Sequence, residues 1–397
     1  MKRLFSLILF LVLYFPLLAQ DFKMNEIIKV IEDIKNEFAP DKRTAIFHVT
    51  VENNSGVLKF SGETNLTEAK LNLFKSVKEK GFRFTDEIIM LPSEEFKDKI
   101  YGLVNLSVAN IRTTPAHSAE LATQALLGTP VKILKKTSGF YLIQTPDQYI
   151  AWVDDDGIIP INKNMLDEWN FSEKVIYLNE YGFAFSEPNE NSQRVSDLTA
   201  GNILIKLQEE NNFCKVKFPD GRIAFVNKIF CKNYLEWLNK EQPTGEIIIS
   251  SAKSLMGIPY LWGGTSAKGV DCSGFTKTIY YLNGIVLSRD ASQQVNQGEL
   301  VNTENGFENL HAGDLLFFGY HATDSTKERI THVGIYIGNY EYIHASGKVK
   351  INSLDKNAHN FSEFRLTHFI RAKRILGYID NNGVDSLKRN KFYLGEF

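Results

Sequence analysis

Gly269-Val-Asp-Cys-Ser-Gly-Phe275 is the stretch on which the reading of this chain turns. Just upstream lies a glycine-rich turn, Tyr260-Leu-Trp-Gly-Gly264. Downstream, Phe275, Ile279 and Leu282 recur at helical spacing, and Gly284 reads as the stop. The pattern predicts a helix whose first turn carries Cys272 and whose N-cap is Asp271. A helix N-terminus presents partial positive charge and unpaired N–H groups, which favour a thiolate over a thiol. Cys272 is therefore the candidate nucleophile, and its sulfur is expected to be held ionised.

Such a nucleophile needs an imidazole within hydrogen-bond reach, and the imidazole needs a third polar group to fix its ring and tautomer. Of eight histidines, only His332 and His344 lie on alternating apolar strands downstream, Thr331–Gly338 and Glu341–Ala345. Side chains alternate along a strand, so the turn between these strands decides whether the two rings meet. A two-residue turn at Gly338-Asn339 puts them on opposite faces. A three-residue turn, Gly338-Asn339-Tyr340, pairs Gly334 with His344 and makes the histidines diagonal neighbours on one face. An odd-numbered turn is predicted. The rival use of Cys272, His332 and His344 is a metal site completed by Asp324 or Glu328. Three ligands from separate elements make a weak zinc pattern, so no metal or other cofactor is expected.

With 397 residues the chain holds two to four domains. Residues 1–20 differ from the rest: Lys2 and Arg3 precede an apolar run, Leu4–Leu18, and Ala19-Gln20 offers a small-residue cleavage point. That is a secretory signal by pattern, short for a membrane span. Removing Lys2 and Arg3 leaves the mature chain acidic, and no basic run stands out, which argues against nucleic-acid binding. Export implies an oxidising compartment, yet only three cysteines exist. Cys214 and Cys231 either pair or remain two buried thiols, and Cys272 is the odd one left over.

The organisation is α+β. Residues 21–98 read as a small module without evident chemistry: a helix over 21–39, a hairpin of Thr44–Val51 and Gly56–Phe60, a helix from Thr67 to about Lys80 and a strand near Phe84–Leu91. From Tyr101 the chain turns to short strands. A strand followed by Val108-Ala-Asn-Ile-Arg-Thr-Thr-Pro115 resembles a bacterial SH3-type barrel, placed over 99–160. The pattern recurs more loosely after roughly 75 residues, which predicts a second barrel over 165–240. Gln242-Pro-Thr-Gly245 is a linker to a last domain, 246–375, in which a cysteine-bearing helix precedes an antiparallel sheet with histidines. A tail, 376–397, follows.

Six segments in order, Tyr260-Leu-Trp-Gly-Gly264, Asp271-Cys-Ser-Gly-Phe275, Arg289-Asp-Ala-Ser-Gln293, Gly313-Asp-Leu-Leu-Phe-Phe318, His332-Val-Gly-Ile-Tyr336 and His344-Ala345, resemble the NlpC/P60 family of cell-wall cysteine peptidases. The resemblance implies a papain-like core, with Cys272 as nucleophile, His332 as general base and later acid, and His344 as the orienting residue. It also implies an oxyanion site made by the Cys272 N–H and Tyr260. With two SH3-type barrels ahead, the chain is similar to the γ-D-glutamyl-L-diamino-acid endopeptidase (dipeptidyl-peptidase VI) subgroup, which cuts peptidoglycan stem peptides bearing a free N-terminal L-Ala. A bound ammonium needs carboxylates, for which Glu120 and Asp271 are the candidates. Tyr149 is a candidate lid residue, Ser273 and Asp290 further polar contacts, and Trp262 a pocket wall. A monomer exported to the periplasm or the outside is expected. Two other readings stand beside this one: a non-catalytic wall-binding scaffold, and a Cys-His acyltransferase or amidase acting on another substrate.

Overall fold

The computed structural model describes residues 24–397; the expected signal segment, 1–20, lies outside the described residues. Two compact units divide after Lys97.

In the first unit, helix α1 (residues 24–38) buries Ile27, Ile31 and Ile34, the stripe that recurs every three or four residues. Strands β1 (Phe47–Asn54) and β2 (Val57–Thr64) form a hairpin closed by Ser55-Gly56, both at positive φ as a two-residue turn of this hand requires. Helix α2 (Thr67–Glu79) then crosses to β3 (Arg83–Met90), which lies parallel to β2. Phe60, Leu73 and Val77 are sealed between sheet and helices.

The second unit begins with two sheets built alike. The first holds β4 (Tyr101–Val104), β5 (Val108–Arg112), β6 (Leu121–Leu126), β7 (Pro130–Thr137), β8 (Phe140–Gln144), β9 (Ile150–Asp154) and β10 (Ile158–Ile161). Helix α3 (Lys163–Phe171) leads to β11 (Lys174–Tyr177), β12 (Gly182–Phe185), β13 (Arg194–Leu198), β14 (Ile203–Glu210), β15 (Phe213–Lys217), β16 (Ile223–Asn227) and β17 (Cys231–Asn233). The strand orders are β10-β4-β7-β8-β9-β5-β6 and β17-β11-β14-β15-β16-β12-β13, the same topology twice. Cys214 and Cys231 are free thiols on β15 and β17.

These SH3-like sheets are open, which corrects the expectation of two β-barrels. The free edge of β6 is satisfied elsewhere. The backbone N–H and C=O of Gln124 bond the Thr265 hydroxyl at 3.1 and 2.9 Å, and the Gln124 side-chain oxygen accepts from the Thr265 N–H at 2.9 Å. A strand edge covered by another domain has no need to close on its own sheet.

Helix α4 (Tyr234–Asn239) packs Tyr234 and Trp237 against Trp169 and Ile176 of the second module, and after the linker the chain runs through α5 (Gly245–Ser254), β18 (Thr265–Ser266), β19 (Gly269–Val270), α6 (Cys272–Tyr281), β20 (Ile285–Val286), α7 (Ala291–Gln294), β21 (Glu299–Val301), β22 (Leu315–Tyr320), β23 (Arg329–Gly338), β24 (Glu341–Ser346), β25 (Lys348–Ser353), α8 (Glu363–Thr367), β26 (Phe369–Arg374), β27 (Asp385–Ser386) and α9 (Lys391–Leu394) of the last domain. Its sheet has the order β21-β26-β22-β23-β24-β25. Helices α5 and α6 cover one face, where Ile248, Phe275, Ile279, Val333, Ile335 and Ile343 are all sealed from solvent. Lys268, in the turn between β18 and β19, reaches both SH3-like sheets, pairing with Asp197 and donating to the Ser107 hydroxyl at 2.8 Å.

The segment expected as a tail is packed. β27 pairs with β20, the Asn390 amide donates to the Pro146 carbonyl at 2.9 Å, and the Phe397 ring stands edge-on to Tyr101 at 5.2 Å.

Candidate active site

The helix that positions the sulfur starts at Cys272 because Asp271 caps it. The Asp271 backbone is extended, and its Oδ1 accepts the Gly274 N–H at 2.7 Å. Its Oδ2 accepts the Gly263 N–H at 3.0 Å, fixing the preceding turn against the helix. Gly263 sits at φ +81°, and a Cβ there would stand 2.2 Å from the Leu121 carbonyl oxygen, so this turn admits only glycine where the first SH3-like sheet presses on it.

The same carboxylate is the counter-ion of Arg289, which sequence reasoning quoted without assigning a role. The Arg289 Nη1 donates to Asp271 Oδ1 at 3.1 Å and to the Ser273 hydroxyl at 3.0 Å, and its Nη2 completes the fork on Asp271. Both partners are buried. A buried carboxylate held by a guanidinium fork and two backbone N–H groups is a structural ion pair with its acceptor capacity in use. The signal available in sequence was an arginine immediately before Asp290, itself the capping residue of α7.

The two histidines meet. His332 Nε2 lies 2.6 Å from His344 Nδ1, and both rings are buried. The register is the expected one, with Gly334 opposite His344, but the turn that achieves it differs. Gly338 pairs with Glu341 across a two-residue turn, Asn339-Tyr340, with φ of 50° and 60°. A bulge at Ile337 inserts one residue into β23 and restores the parity, so that Ile335 pairs with Ile343. The even-numbered turn corrects the odd-numbered one that parity demanded. The favoured hairpin turn has two residues, and the extra residue goes into the strand instead. Gly334 faces His344: a Cβ there would lie 3.1 Å from that of His344.

Behind the pair stands Asn352 of β25, which sequence reasoning missed. Its Oδ1 lies 2.9 Å from His344 Nε2, and its Nδ2 donates to the Asn360 carbonyl at 2.8 Å, which settles which end is oxygen. Alternation carried a signal for it: Lys350 pairs with His344, so Asn352, two residues on, shares that face. The tautomers follow. Asn352 Oδ1 accepts, so His344 carries its proton on Nε2 and offers a lone pair at Nδ1. His332 therefore donates from Nε2 and keeps a lone pair on Nδ1. Both His344 nitrogens are thus engaged, and Glu328, weighed in the sequence as a metal ligand, pairs with Arg371.

The sulfur is buried, and the backbone N–H groups of Ser273 and Val333, the residue after His332, act on it. Burial, reinforced by the charge of Asp271, nevertheless pushes the Cys272 thiol up to about 11. Burial also holds His332 well below its ordinary value, with His344 and Arg365 adding to the effect, and puts His344 at about 4. This reverses the expected resting thiolate. Loss of solvation outweighs the helix N-terminus when the nearest imidazole is itself kept neutral.

The first SH3-like sheet reaches this centre at two points. The exposed Glu120 Oε1 accepts the Trp262 indole N–H at 2.6 Å, and Trp262 is itself exposed. Half-buried Tyr149 is close enough to act electrostatically on Arg289, and its turn is tied to α6 by the Asp147–Lys277 ion pair. Asp290, half-buried, caps α7 and lies 3.9 Å from Arg289. Tyr260 packs on the core beside Cys272, and burial, with Cys272 and Asp271 adding to it, raises the phenol above its ordinary range. Glu120 and Asp271 thus have separate partners, Trp262 and Arg289.

Two family models match the chain. One, described as the NlpC/P60 family, covers residues 257–368; the other, a bacterial dipeptidyl-peptidase Sh3 domain, covers 111–158. A gamma-D-glutamyl-L-lysine dipeptidyl-peptidase of Bacillus cereus is 30% identical over 234 residues, 57% of this chain and 67% of that one. Dipeptidyl-peptidase 6 of Lysinibacillus sphaericus is 26% identical over 271 residues, 64% of this chain and 92% of that one. The crystal structure of a Bacillus cereus NlpC/P60 family protein superposes with a TM-score of 0.60 at 25% identity, covering 70% of this chain and 99% of that one.

Proposed function

This chain belongs to the NlpC/P60 family of cell-wall peptidases, and we propose that it hydrolyses the γ-D-glutamyl–diamino acid bond of peptidoglycan stem peptides whose N-terminal L-Ala is free. Cys272 is the nucleophile, His332 the base and acid, and His344 and Asn352 the residues that fix its tautomer. The resting pair is neutral. As the sulfur attacks the γ-carbonyl carbon, its proton passes to His332 Nδ1, the one imidazole nitrogen of the pair engaged neither between the rings nor by Asn352. The negative charge that forms on the carbonyl oxygen is met by the backbone N–H at the start of α6 and the Tyr260 hydroxyl. His332 then returns the proton to the departing amine, leaving a thioester that water, deprotonated by the same imidazole, hydrolyses.

The observation that carries the substrate assignment is Glu120, a carboxylate from the SH3-like sheet brought to 2.6 Å from Trp262 of the catalytic domain. A peptidase that needed only a bond to cut has no use for an acidic group on the far wall of its acyl side. One that recognises a terminal ammonium does. Asp271 serves instead as helix cap and counter-ion of Arg289, which also holds the Ser273 hydroxyl and stands near Tyr149 and Asp290. Similarity to a peptidoglycan endopeptidase supports action at the cell wall. We assign residues 1–20 as the export signal. No helix among the described residues is long and apolar enough to cross a membrane.

The test is mass spectrometry of L-Ala-γ-D-Glu-L-Lys and its diaminopimelate counterpart after incubation with the enzyme. Release of L-Ala-D-Glu is expected, with loss of product for Cys272→Ser. Intact free-amine peptide, or equal cleavage of the N-acetylated form, refutes the assignment.

A further inference from the structure

One cation near the reacting centre has no role in the mechanism above. Arg365 lies in α8, on the segment that connects β25 to β26. Its guanidinium stands over the Phe318 ring, 5.7 Å from the centroid, and 5.4 Å from that of Phe364. The Phe318 ring lies 5.9 Å from that of His332, its partner across β22 and β23. The positive charge of Arg365 is felt at His332, His344 and Tyr260, and the charge of Cys272 is felt at Arg365. Among the described residues the guanidinium has neither an ion pair nor a hydrogen bond, and it is partly open to solvent. Elsewhere in this domain arginines near the core are paired: Arg289 to Asp271, Arg374 to Asp314 and Arg371 to Glu328. An arginine held between aromatic rings with its donors unused is a planar fork awaiting a planar anion.

We propose that Arg365 binds a carboxylate of the diamino acid that leaves on cleavage, and so sets which stem peptides the enzyme takes; the inference rests on the peptidase reading above. The side of the cleft follows from the chemistry. His332 returns its proton to the departing nitrogen, so the diamino acid is the part of the substrate that stands at His332 and hence beside Arg365. The acyl side is served by other residues, Glu120 and Tyr149. Two carboxylates are available on the leaving side. The α-carboxyl lies two bonds from the departing nitrogen and is free only where the stem ends in the diamino acid. Diaminopimelate carries another at the far end of its side chain, which lysine lacks. Binding either one also removes positive field from His332 at the moment it must become an imidazolium, so the correct leaving group makes the base stronger.

The experiment measures kcat/KM for L-Ala-γ-D-Glu-L-Lys, its C-terminal amide, the diaminopimelate peptide with its α-carboxyl amidated, and a lysine peptide with the D-Glu α-carboxyl amidated. Wild type is expected to prefer the lysine acid over its amide by tenfold or more, about 1.4 kcal/mol. Arg365→Gln is expected to narrow that ratio to within about twofold, and Arg365→Lys to keep part of it. If the α-amidated diaminopimelate peptide is cut as fast as the lysine acid, the side-chain carboxylate suffices as the ligand. If it is cut as slowly as the lysine amide, the α-carboxylate is the ligand. Equal rates of wild type on all leaving-side variants overturn the proposal, as does an undiminished ratio in Arg365→Gln. Discrimination confined to the D-Glu carboxyl overturns the leaving-side assignment. Cleavage of the lysine amide by wild type keeps the two questions apart: its complete absence from every peptide indicts the peptidase reading, whereas cleavage without carboxylate preference indicts Arg365 alone.

Discussion

Replacing Asn352 by Leu tests the tautomer argument without touching either catalytic ring. Leucine keeps the branch at Cγ and removes the acceptor, and its apolar bulk discourages a rescuing water. The other bond of Asn352 is no confounder, because the Asn360 carbonyl also accepts the Ser353 N–H at 3.0 Å. What changes is the His344 Nε2–H, which loses its partner at 2.9 Å inside a ring that is 1% exposed. Leaving a buried donor unsatisfied costs about 1–3 kcal/mol. His344 escapes that cost by moving its proton to Nδ1. It then donates to His332 Nε2, and the lone pair of His332 is turned away from the sulfur. The active arrangement is disfavoured by about 1–3 kcal/mol, so kcat should fall roughly 5- to 150-fold, with KM little changed because no substrate contact is lost. Initial rates of peptide cleavage measure the first effect, and imidazole ¹⁵N shifts of His344 report the tautomer directly. A variant with kcat within twofold of wild type, or one whose His344 proton stays on Nε2, refutes the reasoning.

Three further outcomes follow from the same groups. Burial holds His344 at about 4 and His332 well below its ordinary value, so between pH 6.5 and about 4 the unfolded chain binds protons that the native chain refuses. Stability should therefore drop as the pH falls through that window, His344 contributing on the order of 3 kcal/mol. A melting temperature in His344→Asn that is as steep in pH as wild type counts against it. Arg289→Met should cost about 3–5 kcal/mol by stranding Asp271, while Arg289→Met with Asp271→Asn, which still caps α6, should regain most of the loss; equal melting temperatures for single and double variants contradict the buried pair. Glu120→Gln preserves an acceptor for the Trp262 indole and removes the charge, so KM for free-amine peptides should rise ten- to a hundredfold with little change in melting temperature, and an unaltered KM removes Glu120 from ammonium recognition.

What was legible in the sequence was whatever is written locally. An aspartate before a helical repeat marks the start of α6, and alternation along two neighbouring strands sets Gly334 opposite His344. The repeated strand pattern anticipates two sheets of one topology, because each is built from neighbours in the chain. What depends on distant partners stayed hidden. The openness of the first sheet depends on Thr265, more than a hundred residues from β6. The parity of His332 and His344 could be required in advance, but nothing local distinguished a longer turn from a bulge at Ile337. Asn352 lay within reach of the alternation rule and was passed over because asparagine on an exposed-looking strand is unremarked. The charge state of the sulfur was misread for a different reason. Helix position is visible in sequence, whereas the depth of burial that overrides it is a property of the packed site.

The bonds between Gln124 and Thr265 bear on how such an enzyme can evolve. Modular proteins change specificity by exchanging whole cassettes, and that requires a seam that can be cut cleanly. Here the seam interleaves main-chain and side-chain groups of both modules, with Lys268 clasping both SH3-like repeats. An isolated catalytic half would expose a raw strand edge on the discarded partner and strand polar atoms on its own surface. New substrate preferences in this lineage should therefore arise by point changes within an inherited three-part body, and transplanted halves should be insoluble before they are inactive.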